Sequence, residues 1–327
     1  MKKAAFYTLG CKVNQYETEA MAELFADSGY EIKEFTEVAD VYVINTCSVT
    51  NMGDRKSRQI IRRAKKLNPN AVIAVTGCYA QTAPDEVLAI EGVNLVLGTK
   101  DRKNIVTLVE ELNTESNINH VSDIMSNHEF EELQIKQYSN RTRAFIKIQE
   151  GCNQFCSYCI IPYARGPVRS RAKDDVVREI KELAHNGFKE IILVGIHVAS
   201  YGVDLGDTTL ESLIMDVDKI DGVERIRLSS IEPMTLNQEF IDSIKDSKKL
   251  CHHFHISLQS GCDETLKRMN RKYTTAQFKG IVDGLREAFD DVAITTDIMV
   301  GFPDESDEEF NKTVEFVRNI KFADAHV

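Results

Sequence analysis

The chain lacks a long apolar stretch, since no run approaches the ~20 apolar residues that a helix needs to cross a bilayer. Its amino terminus also lacks a secretory signal, because the apolar run at residues 4–9 is too short and no cleavage pattern follows it. From these absences we predict a cytoplasmic protein with no membrane partner.

Positive charge is scarce as well. Lys and Arg number 40 against 51 Asp and Glu, which gives a net charge of −11. That balance by itself argues against a nucleic-acid partner. Eight cysteines are present, and a reducing cytosol disfavours structural disulfides. Metal binding or chemistry is therefore the expected use of several of them.

The 327-residue length suits two domains. Residues 1–112 alternate short apolar runs with helical patterns, which predicts an α/β domain with a doubly wound, flavodoxin-like parallel sheet. Its predicted strands are residues 4–9, 41–45, 71–76 and 95–97, and its predicted helices are residues 15–27, capped by Asn14, and 54–67. Residues 113–140 are polar and weakly periodic, and they predict an interdomain connection with room for one edge strand.

A second alternation of strands and helices occupies residues 141–327. Its predicted strands are residues 145–149, 191–195, 226–231, 254–258 and 292–300, with a sixth beginning at Ala325. Right-handed β/α units in succession curl toward a barrel, so we predict a partial (β/α)6 barrel cut short at its last strand. The sequence is therefore expected to be a fragment of a longer protein.

Three closely spaced cysteines follow the first strand of the predicted barrel. Cys152, Cys156 and Cys159 have the spacing C-x3-C-x2-C, and three thiolates this close can converge on one iron–sulfur cubane. No fourth ligand follows in the loop, so a [4Fe–4S] cluster would keep one iron open. That iron can bind the amino and carboxylate groups of S-adenosylmethionine and pass an electron to its sulfonium.

A structural zinc site is the alternative use of these cysteines. Such sites are closed by four ligands, and a fourth ligand is missing here. The loop also lies at the C-terminal mouth of the predicted barrel, where such folds keep their active sites. The motif therefore predicts a radical S-adenosylmethionine enzyme.

The whole chain resembles the radical S-adenosylmethionine methylthiotransferases. The segments that carry the resemblance are residues 8–17, 44–50, 75–81, 150–166 and 258–261. Within this group, the segment TLGCKVNQYE at residues 8–17 is most similar to the threonylcarbamoyladenosine tRNA methylthiotransferases.

Three further cysteines have matched positions in the first predicted domain. Cys11, Cys47 and Cys78 each lie two residues beyond a predicted strand. Ligands gather outside the carboxyl ends of strands in an open parallel sheet, so the three side chains are expected to project into one crevice. For any one of them alone, a buried apolar cysteine is the alternative. The resemblance implies that together they hold an auxiliary [4Fe–4S] cluster whose open iron carries the sulfur to be inserted.

The barrel mouth is expected to bind S-adenosylmethionine. Gly195, at the end of the second strand, permits close approach of the backbone, and a simple turn glycine is the equal alternative. Gln259, after the fourth strand, can donate and accept hydrogen bonds. Gly301, after the fifth strand, begins a turn that is expected to shape the adenine edge. Phe155 and Tyr158 are expected to pack around the cluster and exclude water.

The resemblance also implies a reaction. The radical cluster, reduced by an electron donor such as flavodoxin or ferredoxin, would cleave S-adenosylmethionine to methionine and a 5′-deoxyadenosyl radical. A second S-adenosylmethionine would methylate a sulfur on the auxiliary cluster, and the methylthio group would move to a carbon that has lost hydrogen to the radical. By resemblance this carbon is C2 of N6-threonylcarbamoyladenosine at position 37, in the anticodon loop of tRNA.

Two basic segments offset the acidic balance. Seven of the twelve residues 55–66 are Lys or Arg, and Arg165, Arg169 and Arg171 follow the radical-cluster cysteines. Basic residues beside both predicted sites are suited to guide a phosphate backbone, although a solvated helix face is the alternative for residues 55–66. Members of the family also end in a small RNA-binding barrel of TRAM type, which is expected beyond Val327.

Two other functions stay open on the sequence alone. One is a methylthiotransferase for isopentenyladenosine in tRNA or for an aspartate of a ribosomal protein, although residues 12–13 and 195–198 fit those groups less well. The other is a non-catalytic iron–sulfur or zinc protein that binds RNA or passes electrons. Iron content and release of 5′-deoxyadenosine distinguish the enzyme from this second alternative.

Overall fold

The computed structural model describes residues 1–48, 51–112, 117–135 and 143–327. Contacts divide the chain into two compact units. The first unit comprises residues 1–140, 150–153 and 160–169, and the second comprises residues 141–149, 154–159 and 170–327. The cysteine-rich loop is shared, because Cys152 belongs to the first unit and Cys156 and Cys159 belong to the second.

The first unit is built on a six-stranded parallel sheet. Its elements are β1 (Lys3–Thr8), α1 (Lys12–Asp27), β2 (Glu31–Lys33), β3 (Val41–Thr46), α2 (Asn51–Leu67), β4 (Val72–Gly77), α3 (Cys78–Thr82), α4 (Pro84–Leu88), β5 (Leu95–Leu97), α5 (Ile105–Glu110) and β6 (Ile118–His120). The strand order is β2–β1–β3–β4–β5–β6, and every pair is parallel. The first five strands have the flavodoxin-like order, which confirms the predicted fold class.

Helices cover both faces of this sheet because its central strands are buried on both sides. All six residues of β3 are buried, and so are five of the six in β4. Val41 and Val43 pack in one core with residues of α1 and α5, whereas Tyr42 and Ile44 pack in a second core with residues of α2, α3 and α4. Alternate residues of a strand point to opposite faces, so a continuous apolar run predicts this doubly covered arrangement.

The structure differs from the sequence-based expectation at one helix start, at the edge strands and in three short helices, α3, α4 and α5, that were not predicted. Helix α1 begins at Lys12 with Cys11 in the N-cap position, so the prediction of Asn14 as the cap was wrong. Strand β2 was not predicted, because it has only three residues and none of them is buried. An edge strand was expected within residues 113–140, and β6 is such a strand, although the sequence did not give its position, because none of its three residues is buried. Strand β6 lies within the segment predicted as an interdomain connection, and it forms an edge of the first sheet.

The second unit is a succession of parallel strands and helices. The elements after β6 are, in chain order, β7 (Arg143–Glu150), α6 (Ile161–Arg165), β8 (Arg169–Ser170), α7 (Lys173–His185), β9 (Glu190–Gly195), α8 (Leu210–Asp218), β10 (Arg225–Leu228), α9 (Gln238–Ile244), β11 (His253–His255), α10 (Asp263–Arg268), α11 (Thr275–Ala288), β12 (Ala293–Asp297), α12 (Asp307–Ile320) and β13 (Asp324–His326). Of these, α6 belongs to the first unit.

Six of these strands follow one another in space as they do in the chain. One sheet has the order β10–β9–β7–β8 and another has the order β11–β12–β13. Parallel bridges from Ile226 to Leu250 and from Ile231 to Ile256 connect the two sheets. This order confirms the predicted run of β/α units, with β13 as the sixth strand. Within the described ranges, no helix has both the length and the apolarity that a bilayer crossing requires.

Gly77 ends β4 and thereby positions Cys78. Its backbone has φ +96° and ψ −165°, a region that is essentially restricted to glycine. A Cβ at Gly77 would lie 2.4 Å from both the carbonyl oxygen of Thr46 and Oδ1 of Asn45. We predict that Gly77→Ala lowers the free energy of unfolding by about 2–6 kcal/mol, because backbone strain adds to overpacking. Urea unfolding of the iron-free protein, followed by circular dichroism, measures this loss.

Gly29→Ala is the matched control for this substitution. Gly29 also has a positive φ, +85°, but no other described residue, apart from its two chain neighbours, has an atom within 4 Å of the added Cβ. The control should therefore lose only about 1–2 kcal/mol from backbone strain. Equal losses in the two variants would contradict the steric argument at Gly77.

Candidate metal centres

The structure places Cys11, Cys47 and Cys78 just beyond the carboxyl ends of three strands of the first sheet. They follow β1, β3 and β4, which are neighbours in the sheet. The ends of these strands are level, because Thr8 pairs with Asn45 and Thr46 pairs with Gly77. A Cβ on Gly10 would lie 2.9 Å from Sγ of Cys47, so the backbone before Cys11 lies directly against the Cys47 side chain.

Asn14 joins the backbone segments that lead to these cysteines. Its Nδ2 donates to the carbonyl oxygens of Leu9 and Thr46 at 2.7 and 2.9 Å. Its Oδ1 accepts from the Cys11 thiol at 3.7 Å and from Nη2 of Arg165. The Asn14 side chain has no exposed surface, so its bonds to Leu9, Thr46 and Arg165 are made away from solvent.

Arg165 contacts the third cysteine of this group. Its Nε lies 3.3 Å from Sγ of Cys78, and its Nη1 donates to carboxylate oxygens of Glu17 and Glu150 at 2.6 and 2.7 Å. Burial raises the pKa of the Cys78 thiol, and the positive charge of Arg165 opposes that rise. The arginine therefore favours the thiolate that a metal requires.

A second buried arginine completes this ion network. Arg102 pairs with Glu17 at 2.6 Å and with Glu131 at 2.8 Å, and it lies 3.5 Å from Glu150. Neither Arg102 nor Glu17 has exposed surface, and Glu150 is 1% exposed. Charges this deeply buried persist only when they are paired and hydrogen-bonded.

The prediction that Arg165, Arg169 and Arg171 contact a phosphate backbone was wrong. Their exposed fractions are 0%, 1% and 0%. Arg169 donates to backbone carbonyls, and Arg171 pairs with Glu179. All three side chains are therefore held inside the protein and present no charge to a phosphate backbone at the surface.

The loop that carries Cys152, Cys156 and Cys159 begins at a glycine whose surroundings leave no room for a side chain. Gly151 has φ +78°, and a Cβ there would lie 1.8 Å from the carbonyl oxygen of Pro167. The amide of the next residue, Cys152, donates to the carbonyl of Gly166 at 3.0 Å. The first cysteine of the motif is therefore fixed against the backbone that directly follows Arg165.

The other two cysteines of the motif lie in the second unit. Nη1 of Arg271 lies 3.3 Å from Sγ of Cys156, and its Nη2 pairs with Glu232 at 2.7 Å. The amide of Cys159 donates to the carbonyl of Cys156 at 3.0 Å. Asn270 donates to the carbonyl of Phe155 at 2.8 Å, so the segment around Arg271 holds this half of the loop.

Gly195 meets a buried glutamine at the end of β9. A Cβ on Gly195 would lie 2.9 Å from Oε1 of Gln149, and the same oxygen accepts from the amide of His197 at 2.7 Å. Burial, together with the charge of Arg271, lowers the pKa of His197 to about 4, so this imidazole is neutral at pH 7. Its Nε2 is buried and has no hydrogen-bond partner among the described residues.

Gln259 and Gly301 lie at the ends of later strands. Gln259 has φ +67°, and its backbone pairs with Asp297 and Met299 at 2.9 and 2.8 Å. Gly301 has φ +70°, and among the residues with described positions none beyond its two chain neighbours comes within 4 Å of a Cβ built there. Phe155 and Tyr158, expected to exclude water, are 41% and 37% exposed, although Tyr158 packs edge-on against Phe302.

The donor sets fit cubanes better than single metal ions. Among the residues that the structure describes, no three Cys, His, Asp or Glu side chains converge closely enough to ligate one ion. A cubane holds each cysteine on a different iron atom, so its sulfurs need not meet at one point. Soft thiolates are also the ligands that iron–sulfur clusters prefer.

Sequence reasoning missed the residues that position these cysteines. Asn14, Glu17, Arg102, Glu150 and Arg165 were not predicted as one buried network. The available signal was weak, because polar residues within α1 and beside the cysteine motif are equally consistent with exposure. The residues next to Arg165 in the sequence gave one hint of burial, since Ala164 precedes it and Gly166 and Pro167 follow it.

Two family models match the chain. The radical SAM superfamily matches residues 146–317, and the uncharacterized protein family UPF0004 matches residues 3–98. The first match covers most of the predicted barrel and all three cysteines of the motif. Two of these cysteines, Cys156 and Cys159, belong to the second unit. The second match covers the sheet that carries Cys11, Cys47 and Cys78.

Curated relatives match over nearly the full chain. A threonylcarbamoyladenosine tRNA methylthiotransferase of Bacillus subtilis is 49% identical over 100% of this chain and 73% of its own length. The enzyme of the same name from Aquifex aeolicus is 42% identical over 99% of this chain and 79% of its own length. A tRNA-2-methylthio-N(6)-dimethylallyladenosine synthase of Thermoanaerobacter pseudethanolicus is 39% identical over 98% of this chain and 69% of its own length.

A solved structure shares the fold at low sequence identity. The radical S-adenosylmethionine methyltransferase TsrM from Kitasatospora setae matches with a TM-score of 0.71 and 15% identity. The match covers 99% of this chain and 72% of that one. At this identity the likeness supports the fold and nothing further.

Proposed function

Because the chain belongs to the radical S-adenosylmethionine tRNA methylthiotransferases, we propose that it adds a methylthio group to C2 of N6-threonylcarbamoyladenosine at position 37 of tRNA. The observation that carries the proposal is the presence of two cysteine sets, one at the ends of adjacent strands and one in the loop after β7. The choice of base is supported by the two quoted threonylcarbamoyladenosine enzymes, which match at higher identity than the quoted dimethylallyladenosine enzyme.

The radical SAM domain implies S-adenosylmethionine and one [4Fe–4S] cluster. Cys152, Cys156 and Cys159 are the proposed ligands, and three sulfurs keep one iron open for the cofactor. When bound and reduced, by a donor such as flavodoxin or ferredoxin, this group supplies the electron that splits S-adenosylmethionine into methionine and a 5′-deoxyadenosyl radical. Gly195, Gln259 and Gly301 are the proposed contacts for the cofactor at the strand ends.

A second [4Fe–4S] cluster is proposed for Cys11, Cys47 and Cys78. The level ends of β1, β3 and β4 support this assignment, because they bring three sulfurs to one edge of the sheet. The charge of Arg165 supports it as well, since a buried guanidinium beside Cys78 stabilises a thiolate. The cluster would carry the sulfur that is transferred.

The exposed face of α2 is the proposed contact for tRNA phosphates. Ile60, Ile61 and Ala64 are buried against the sheet, so the opposite face of the helix is exposed. Its exposed cations are Arg55, Lys56, Arg62, Arg63 and Lys66. None of these five cations forms an ion pair with any described residue, so their charge is available to a polyanion despite the acidic balance of the chain.

The domain division and the cellular location are also proposed. Residues 1–112 would form the auxiliary-cluster domain, residues 113–140 the connection and residues 141–327 the radical domain. The two family matches, 3–98 and 146–317, fall inside these limits. A tRNA substrate and reduced cysteines suit the cytoplasm.

Cysteine substitutions separate the two proposed clusters. We predict that the anaerobically reconstituted chain binds about eight irons and releases 5′-deoxyadenosine when reduced. Cys156→Ala should abolish that release, whereas Cys47→Ala should keep it, lose about four irons and stop methylthiolation. Iron analysis and chromatography of 5′-deoxyadenosine measure these outcomes. Tightly bound zinc without cleavage would instead favour the non-catalytic alternative.

The substrate is tested in a deletion strain. We predict that 2-methylthio-N6-threonylcarbamoyladenosine disappears from its tRNA and that the precursor without the methylthio group accumulates. Mass spectrometry of tRNA nucleosides and of ribosomal proteins measures all three candidate substrates together. Persistence of the threonylcarbamoyl product with loss of the isopentenyladenosine product, or of the modified ribosomal aspartate, would contradict the proposed base.

The tRNA surface is tested by a double substitution on α2. We predict that Arg62→Gln with Lys66→Gln weakens tRNA binding about tenfold and lowers the slope of log K against log salt by about 1 for each removed contact. The matched control is Lys279→Gln with Lys312→Gln, because these lysines already pair with acidic residues. Filter retention at several salt concentrations measures binding, and the control should bind tRNA as the unchanged chain does. Equal weakening in both variants would contradict the proposal, because it would assign the effect to the overall charge and not to α2.

A further inference from the structure

Arg165 uses all five of its N–H groups inside the first unit. Its Nε donates to Cys78 at 3.3 Å, and its Nη1 donates to Glu17 and Glu150 at 2.6 and 2.7 Å. Its Nη2 donates to Asn14 and, at 3.1 Å, to the second oxygen of Glu17. A guanidinium has five donors in a fixed plane, so four bonds to oxygen fix the plane and the fifth points at sulfur.

Among the acceptors of Arg165, the sulfur of Cys78 is unusual because the other four are oxygen atoms. A neutral thiol is a weak acceptor, whereas hydrogen bonds to an ionised group are about twice as strong. Cys78 is 3% exposed, so a thiolate there is costly unless a positive charge or a metal compensates it. A cluster-bound thiolate beside a guanidinium satisfies this requirement.

We propose that Arg165 is a positioning residue that sets the reduction potential of the auxiliary cluster through its contact with Cys78. This inference rests on the proposed role of Cys11, Cys47 and Cys78 as ligands of that cluster. Hydrogen bonds to the sulfurs of a cluster and nearby positive charge both favour the more negative, reduced state. Arg165 supplies both at one sulfur, so its removal lowers the reduction potential.

Arg102 provides a matched control. It has no exposed surface and pairs with Glu17 and Glu131 at 2.6 and 2.8 Å, so it belongs to the same ion network as Arg165. Within the described part of the chain, its hydrogen-bond and ion-pair partners are all oxygen atoms. Substituting either arginine therefore removes one buried charge, but only substitution of Arg165 removes the contact with sulfur.

The experiment uses the full chain with Cys152, Cys156 and Cys159 replaced by Ala, so that only the auxiliary cluster can form. Arg165→Gln, Arg165→Lys and Arg102→Gln are each added to this background and reconstituted anaerobically with iron and sulfide. A redox titration monitored by electron paramagnetic resonance measures the potential of the bound cluster. Iron analysis and thermal unfolding of each variant measure loading and stability.

The expected result is specific to the sulfur contact. Arg165→Gln should shift the reduction equilibrium at least tenfold toward the oxidised state, which is 59 mV for a one-electron couple. Arg165→Lys keeps the charge but not the planar donor, so its shift should be smaller. Arg102→Gln should destabilise the protein and yet change the reduction equilibrium by less than about threefold, because it leaves the Nε–H···S contact intact.

Three results would overturn the inference. One is an unchanged potential in a cluster-loaded Arg165→Gln chain, and another is an equal shift in Arg102→Gln, which would assign the effect to the charge of the network as a whole. If Arg165→Gln retains no cluster, the potential of the cluster-loaded Arg165→Lys chain is measured in its place. An unchanged potential there, or a shift equal to that of Arg102→Gln, contradicts the inference in the same way. The third is a background chain that binds no iron before any arginine is changed, which shows that the auxiliary cluster itself is wrong and takes the inference with it.

Discussion

The arrangement of the first unit depends on one buried ion network. Arg102 and Arg165 contact Glu17 from two sides, and Glu150 lies within reach of both. Breaking a buried pair by removing one partner costs about 3–5 kcal/mol, because it strands an uncompensated charge. Such a network tolerates a single arrangement of its members. The network also restricts the positions of two cysteines, since Asn14 bonds to the sulfur of Cys11 and Arg165 bonds to the sulfur of Cys78.

The network also explains why two distant parts of the sequence belong to one unit. Glu150 and Arg165 flank the three-cysteine motif, two residues before Cys152 and six residues after Cys159. Both carboxylate and guanidinium are buried with Glu17 of α1. The amide of Cys152 bonds to Gly166, the residue after Arg165. One ligand from each proposed cluster is therefore positioned by two consecutive residues.

Much of this fold follows from apolar periodicity and from the cysteines. Buried strands such as β3 and β4 are visible because both of their faces are apolar, and the spacing of the cysteines needs no tertiary information. The edge strand β2 is not visible and the position of β6 is not defined by the sequence, since both strands bury little and are specified by pairing with neighbours rather than by their own residues. Asn14 illustrates a third case. Its type and position fit a helix cap, but tertiary bonds to Leu9 and Thr46 decide its role.

Arginine shows most clearly where sequence reasoning stops. The cations of α2 and the guanidinium of Arg165 are alike in the sequence, and both lie near proposed cluster ligands. On α2 the apolar residues Ile60, Ile61 and Ala64 fix which face is exposed, so the helical period is enough to predict a basic surface. Arg165 has no such period to orient it, because it ends the five-residue helix α6. Only the carboxylates that face it reveal that its charge is used inside the protein.

The two units use the same device at their cysteines. Arg165 lies 3.3 Å from Cys78 in the first unit, and Arg271 lies 3.3 Å from Cys156 in the second. Each guanidinium is held by a glutamate, Glu17 or Glu232, at 2.6 or 2.7 Å. Each contact therefore directs a charge-assisted N–H donor at one sulfur. Because each donor belongs to the same unit as the sulfur that it contacts, a change at one arginine leaves the other contact intact, which suits two proposed clusters with different proposed roles.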